Sequence, residues 1–402
     1  MDQNSRYEQL LNWLFEQFPA FQKIGEKAYK PTLENTLKLI AYFEIDLSTA
    51  RFVHVAGTNG KGTTCSIIAS FMKEAGYKTG LFTSPHLNDF RERIRINGEM
   101  IPKQQVLNFI QRVQEVEWDF KPSFFEITWV LALQYFIESH CDIIVVETGL
   151  GGRLDATNVI RPEVSVITNI GLDHTAILGD TRTLIASEKA GIIKPGVPVL
   201  IGENDEEIRD VFITRSNEQH ASLTFINLRE EKEVFLKNKR LAYSVLLKLR
   251  ELGWTIDEDS FERGIENLSK NTGLKGRFQY LSETPLIIAD AAHNAEGILL
   301  LIQSILQNFS DKNILVLYGA SNEKDLDKIF VNFPKDWQYF LTEFKNKRSC
   351  SSETLEITAR KFNLNFRIFQ SSGEAFSIAQ NTMNEEDVLV VFGSFFLLEE
   401  II

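Results

Sequence analysis

Cysteine is scarce in this chain of 402 residues: Cys65, Cys141 and Cys350 are its only three, and they stand far apart. That spacing fits neither a disulfide framework nor a thiolate zinc site, and the expected compartment is a reducing cytoplasm. Long apolar runs are missing as well. Stretches such as Ile143–Val146 fall far short of the roughly 20 residues a helix needs to cross a bilayer, so no membrane partner is expected. The opening MDQNSRYEQL lacks the basic and apolar regions of a secretory leader. Positive charge is in deficit, 43 Lys and Arg against 55 Asp and Glu for a net −12, which argues against a general nucleic-acid surface. Internal repeats of solenoid period and low-complexity tracts are also absent. What is present is an ordinary globular composition, 44% hydrophobic and 24% charged, long enough for two domains.

The recurring unit is a short apolar run, a turn containing Gly or Asn, and then a longer helical pattern. Such alternation predicts parallel β/α layering. Phe52–Gly57, Cys141–Gly149 and Val164–Gly171 are expected strands of the first part, and Pro285–Asp290, Asn313–Gly319 and Val388–Gly393 of the second. They are continuously apolar rather than alternating, as strands covered on both faces are. The polar, Gly-containing stretch Leu268–Lys275 is the expected hinge. It divides an N-terminal domain of residues 1–272 from a C-terminal domain of residues 273–402. Glu203–Glu233 is so polar and charged that it reads only as a loosely specified edge.

The most informative segment is HVAGTNGKGTTCSIIASFMKEAG, a Gly-rich turn between a strand and a helix. Gly57, Gly60 and Gly62 let the backbone approach a phosphate closely and turn N–H groups inward. Thr58 and Asn59 lie within that turn. Lys61 adds a positive charge, and the helix that follows adds its N-terminal dipole. The spacing departs from the usual P-loop, because Gly62 separates Lys61 from the hydroxyl of Thr63. A nucleotide phosphate is the expected ligand, with Thr63 near Mg2+.

Here the sequence resembles a known family. GTNGKGT looks like the phosphate loop of the Mur ligase superfamily. TSPHLNDFRERIRINGEMI (Thr83–Ile101) is similar to a signature of the folylpolyglutamate synthase/dihydrofolate synthase family. ETGLGGRLDATN (Glu147–Asn158), TNIGLDHTAILGDT (Thr168–Thr181) and SEKAGIIKPG (Ser187–Gly196) follow in that family's order and spacing. The resemblance runs from about Phe18 to the end. It implies an α/β protein with an N-terminal P-loop-type ATP-binding domain around a mainly parallel sheet. A smaller Rossmann-like α/β domain should follow, and the enzyme should be a monomer.

Ser84, Glu147, His174 and Lys189 each follow a strand or sit at a helix, and in an open parallel sheet such positions converge where ligands bind. Glu147 and the Ser84 hydroxyl suit a hard cation that bridges ATP phosphates. The resemblance implies His174 as a further metal ligand, although a lone histidine is more often structural. It also implies that Lys189 reacts with CO2 to form a carbamate, which turns a cation into an oxygen ligand for a second Mg2+. A monovalent cation is a further candidate. Only the neutral amine reacts, so burial or nearby cations must lower the pKa of Lys189.

In the second domain GRFQ (Gly276–Gln279) and ADAAHN (Ala289–Asn294) resemble ATP-contacting strings, which implies Arg277, Asp290 and His293 as nucleotide contacts. The usual family form is nearer DGAHNP, so Ala291 and Ala295 are departures. Asn238 matches an adenine-contacting asparagine, but the His or Tyr and the Gln that usually precede it are Val234 and Phe235 here. For the folate or dihydropteroate end the resemblance points to Ser123, Phe124 and Phe125 of PSFFEIT and to Leu154 and Asp155 of RLDATN. In isolation the two Phe read more often as core, and Asp155 reads as a turn residue. Arg91, Arg93 and Arg95 form a basic cluster that would meet an anionic tail, or line one solvated strand face.

The expected reaction is glutamate ligation to a folate-type carboxylate. Lys61 and Mg2+ align the ATP γ-phosphate, the carboxylate attacks it to give an acyl phosphate, and the amine of L-glutamate displaces phosphate. No protein nucleophile is needed. The competing readings are another Mur-type ligase acting on a peptidoglycan precursor and a non-catalytic nucleotide-binding switch protein.

Overall fold

Apolar runs that the sequence leaves unbroken become strands buried on both faces. A computed structural model describes residues 3–18, 31–228, 231 and 233–402. It divides into two compact units, the first extending to Glu231 and resuming over Phe235–Gly273, the second including Leu274–Ile402.

The first unit is built on an eight-stranded sheet: β1 (Phe52–Ala56), β2 (Thr79–Phe82), β3 (Ile94–Ile96), β4 (Glu99–Met100), β5 (Ile143–Glu147), β6 (Val164–Ile167), β7 (Val199–Ile201) and β8 (Leu223–Phe225). The spatial order is β4-β3-β2-β5-β1-β6-β7-β8. The six strands from β2 to β8 in that order pair in parallel, and β3 and β4 close one edge antiparallel. Every residue of β1, β5 and β6 is buried, including the polar His54 of β1 and Ser165 of β6. Helix Lys61–Glu74 packs against β1, β2 and β5, and helix Phe124–Glu138 against β2.

The second unit holds β9 (Gln279–Glu283), β10 (Leu286–Asp290), β11 (Asn313–Tyr318), β12 (Gln338–Thr342), β13 (Asn365–Phe369) and β14 (Asp387–Phe392) in the order β13-β12-β11-β14-β10-β9. Only β9 runs antiparallel. Each unit has its own apolar core: Trp129, Phe136 and Phe82 lie in the first, Tyr318, Phe330 and Tyr339 in the second.

All six anticipated strands form, and the α/β fold class with two mainly parallel sheets is borne out. One local expectation is corrected, and the expected hinge, inside which the two units divide, has local structure of its own. Glu203–Glu233 is no loose edge: Glu206–Glu218 is a helix capped by Asp205 that buries Ile208 and Phe212, and β8 completes the sheet beside β7. Residues 229, 230 and 232 of that stretch lie outside the described residues. The hinge stretch is partly helical, Leu268–Thr272, with Asn271 and Thr272 buried; Asn271 Nδ2 donates to Ser70 Oγ at 3.0 Å. A polar sequence hid both, because their polar side chains are consumed by caps and buried hydrogen bonds.

Candidate active site

The phosphate loop leaves β1 at Gly57 and enters its helix at Lys61. Gly60, the N-cap, has φ +80°, a conformation that disfavours any residue with a Cβ. A Cβ at Gly57 would stand 1.8 Å from Thr168 Oγ1, and one at Gly60 would stand 2.4 Å from Asn238 Oδ1. The end of β6 anchors the loop: Thr58 N donates to Asn169 O at 3.0 Å, Asn59 N to Asn169 Oδ1 at 2.8 Å, and Thr168 Oγ1 to Asn59 O at 2.7 Å. Thr168 and Asn169 were not singled out from the sequence, although both stand in TNIG directly after an apolar strand.

Lys61 and Lys189 converge. The Nζ of Lys61 donates to Gly57 O at 3.1 Å and Thr58 O at 3.2 Å, and the Nζ of Lys189 donates to the same Gly57 O at 2.8 Å. Lys189 is 3% exposed. Burial, and then the charge of Lys61, push its amine down to about 7, against an opposing pull from Asp173 and Asp155. A large fraction is therefore neutral near pH 7, the state that reacts with CO2.

Glu147 ends β5 with 3% exposure, and its Oε2 accepts from Ser84 N at 2.9 Å. It faces the bare Cα of Gly62, where a Cβ would meet Oε2 at 3.3 Å. Thr63 is buried in the next turn. Among the described residues no group of three or more His, Cys, Asp or Glu side chains clusters as a metal cage. One buried carboxylate among hydroxyls and a phosphate loop is the donor set of Mg2+, which keeps waters and substrate oxygens as ligands. His174 begins the short helix Thr175–Leu178 at φ +51°, with its Nε2 3.9 Å from Asp173 Oδ2. Asn238 is brought to the loop despite its altered sequence context: it is 7% exposed, and its Oδ1 lies 3.5 Å from Thr64 Oγ1.

The residues matched to folate carry structural duties too. Ser123 caps helix Phe124–Glu138 in a reciprocal capping box with Glu126. Phe124 is 3% exposed, stacks on Phe15 with centroids 4.4 Å apart, and lies under the Arg93 guanidinium. Phe125, half-buried, packs over Gly149, and Leu154 is half-buried beside the buried Asp155. Asp155 accepts from Leu150 N at 2.7 Å and Thr157 N at 3.0 Å, and burial raises its pKa against those bonds.

The expectation of a solvated arginine face is corrected. Arg91 pairs with Asp89 at 2.7 Å. Arg93 is 3% exposed, donates to His86 Nδ1 at 2.7 Å, and is lowered to about 10 by burial. Arg95 is buried and donates to Gly98 O. Arg91 and Arg93 lie on a 3-10 turn, Phe90–Arg93, rather than on a strand, and β3, which carries Arg95, is buried throughout.

Within the second unit, Asp290 Oδ2 accepts from Phe278 N at 2.7 Å and Oδ1 from Ala292 N at 2.8 Å. Burial raises its pKa while the charge of Arg277 opposes the shift. Arg277 lies 4.9 Å over the Phe395 ring, and the His293 ring is 6.1 Å from the same one. Phe395 had not been anticipated. Ala295 opens helix Ala295–Asn308, with Asn294 as its cap. Proline suits that first helical position because its N–H would be unused there, and alanine fills it without penalty.

Loop and fold together define a Mur-type ligase: residues 55–262 match the Mur ligase middle domain and residues 276–395 the Mur ligase glutamate ligase domain. A dihydrofolate synthase/folylpolyglutamate synthase of Buchnera aphidicola subsp. Schizaphis graminum is 33% identical, covering 95% of this chain and 96% of its own. The Escherichia coli K12 protein of that description is 32% identical over 87% and 85%. The solved structure of Escherichia coli FolC in complex with DHPP and ADP matches with a TM-score of 0.84 at 28% identity, covering 98% of this chain and 96% of that one. A Yersinia pestis bifunctional folylpolyglutamate synthase/dihydrofolate synthase complexed with AMPPNP and Mn gives 0.85 at 27%, over 98% and 97%. The chain belongs to the dihydrofolate synthase/folylpolyglutamate synthase family.

Proposed function

We propose that this protein uses ATP to join L-glutamate to a folate-type carboxylate, both extending tetrahydrofolate and converting dihydropteroate to dihydrofolate. The observation that carries it is the convergence of Lys61 and Lys189 on Gly57 O beside the buried Glu147. Backbone N–H groups of the loop and the Lys61 ammonium hold and neutralise the γ-phosphate. The substrate carboxylate attacks that phosphorus and ADP leaves. The neutral α-amine of glutamate then attacks the acyl phosphate, and phosphate departs as the amide forms. Because the carboxylate is activated as a mixed anhydride, the protein contributes placement and charge rather than a nucleophile.

A divalent cation held by Glu147, Ser84 and His174, with Thr63 close by, supplies charge neutralisation to the phosphates when bound. The Lys189 amine adds to CO2 to give a carbamate and a proton, which provides two further oxygens for a second cation. Asn238 is assigned to the adenine side of the loop, and Arg277, Asp290 and His293 to nucleotide contacts presented by the second unit. Ser123, Phe124, Phe125, Leu154 and Asp155 border the pterin. The enzyme is taken to act as a cytoplasmic monomer on small molecules, without nucleic acid or membrane. No helix among the described residues is long and apolar enough to cross a bilayer.

The test is ATP-dependent phosphate release with glutamate and Mg2+, comparing dihydropteroate with tetrahydrofolate and weighing each product. One added glutamyl unit on both means a bifunctional synthase, and on tetrahydrofolate alone a chain extender. No turnover of either by folded, ATP-binding protein would overturn the assignment.

A further inference from the structure

β1 is apolar except for one residue. His54 is fully buried at its centre, between Phe52 of one apolar cluster and Ala56 of another. It belongs to a buried polar seam. Ser165 Oγ donates to Ile192 O at 2.9 Å, Lys194 Nζ to Asn158 O at 2.7 Å, and Asn158 Nδ2 to Arg153 O at 3.0 Å and Gly191 O at 3.1 Å. All but the first of these bonds have a partner in the loop between β5 and β6 that carries Leu154 and Asp155.

The tautomer of His54 follows from its neighbours. Thr157 Oγ1 donates to Asp155 Oδ1, which commits the single hydroxyl proton of Thr157 to that carboxyl oxygen. Thr157 Oγ1 therefore presents a lone pair to His54 Nε2, 2.8 Å away, and the imidazole proton sits on Nε2. His54 Nδ1 is then a bare acceptor, buried, with no hydrogen-bond partner among the described residues. An unpaired buried acceptor destabilises a fold, and a Phe there would avoid that cost. What the histidine gives in return is the bond at its other nitrogen. Burial, and then the charge of Lys194, oppose protonation of the ring.

We propose that His54 is a positioning residue for substrate: through Thr157 it fixes the Asp155 carboxylate and the loop around it, and so ties the strand that feeds the phosphate loop to the pterin end of the site. This rests on the assignment of the Asp155 loop to the folate-type substrate. The relay runs in one direction, from His54 Nε2–H to Thr157 Oγ1 and from Thr157 O–H to Asp155.

The experiment measures KM for dihydropteroate and for ATP, and kcat, in purified H54F, T157V, T157S, D155A and the H54F/T157V double variant, each checked for a native melting transition. Expected are a rise of about tenfold in the dihydropteroate KM for H54F and T157V, with the ATP KM and kcat within about twofold. T157S should restore the wild-type KM, and the double variant should be no worse than either single one, as members of one relay behave. An unchanged KM in D155A overturns the site assignment and the proposal with it. A raised KM in D155A beside unchanged values in H54F and T157V overturns the proposal alone. Nitrogen-15 spectra of imidazole-labelled wild-type protein supply an independent reading that no folding defect can obscure. A neutral Nε2–H ring at pH 6 supports the relay, and an Nδ1–H or doubly protonated ring ends it.

Discussion

A lysine amine near neutrality behaves differently from a surface lysine, and at Lys189 the cause is visible: full burial beside a second cation, Lys61. With 13C-labelled bicarbonate the protein should show a carbamate carbonyl resonance that Lys189→Met lacks. That variant should lose at least about a hundredfold in turnover, the scale of removing one charge-stabilising group. A persistent resonance in the variant would place the carbamate elsewhere. Gly60→Ala carries two penalties. The left-handed φ costs roughly 1–2 kcal/mol, and its Cβ would press on Asn238 at 2.4 Å. ATP affinity, read by titration calorimetry, should fall by more than tenfold at that cost. Tyr318 offers the opposite case. Its hydroxyl is fully buried without a hydrogen-bond partner among the described residues, so Tyr318→Phe should be neutral or stabilise by about 1 kcal/mol in urea. A clear loss of stability would reveal a bond to that oxygen.

At the scale of elements, the helix after Ser123 depends on a capping box, which S-x-x-E spells out in the sequence. Ser123→Ala should lower the unfolding free energy by about 1 kcal/mol in urea titration, and Ser123→Thr should change it little. If instead both variants changed only the dihydropteroate KM, the hydroxyl would act on substrate and not on the helix. The six long apolar strands and the phosphate loop were readable for the same reason: burial on both faces and a Gly-rich strand-to-helix turn are each local in sequence. β8 and the helix before it were not, because β8 is only three residues long, the helix is mostly polar, and the sheet edge supplies the pairing. Asn238 stood in an altered motif. Its place against Gly60 comes from helix Val234–Glu251, which no local pattern could align with a turn about 180 residues earlier.

For the whole molecule, buried titratable groups set the pH limits of stability. His54 sits at about 3 when folded, below its ordinary 6.5. The unfolded chain therefore takes up that proton first, and the contribution is complete above pH 6.5 and lost as pH falls toward 3. Its size is up to roughly 5 kcal/mol. Lys189 acts in the same direction at higher pH: folded at about 7 against an ordinary 10.5, it makes stability rise from pH 7 toward 10.5. Urea midpoints between pH 4 and 7 should fall steeply for wild-type and more gently for H54F. Equal slopes would mean that His54 is not buried neutral. Since each unit has its own core, calorimetry should resolve more than one transition.

By itself the sequence determined the α/β class, the phosphate loop and the family, because each is written in short contiguous strings with a local physical cause. Tertiary structure alone decided the rest. It put two lysines on one carbonyl, turned Arg91, Arg93 and Arg95 into paired or covered groups, and made His54 part of a seam. Those outcomes depend on which distant strands become neighbours and on how much water their side chains lose, and neither is carried by any local run of residues.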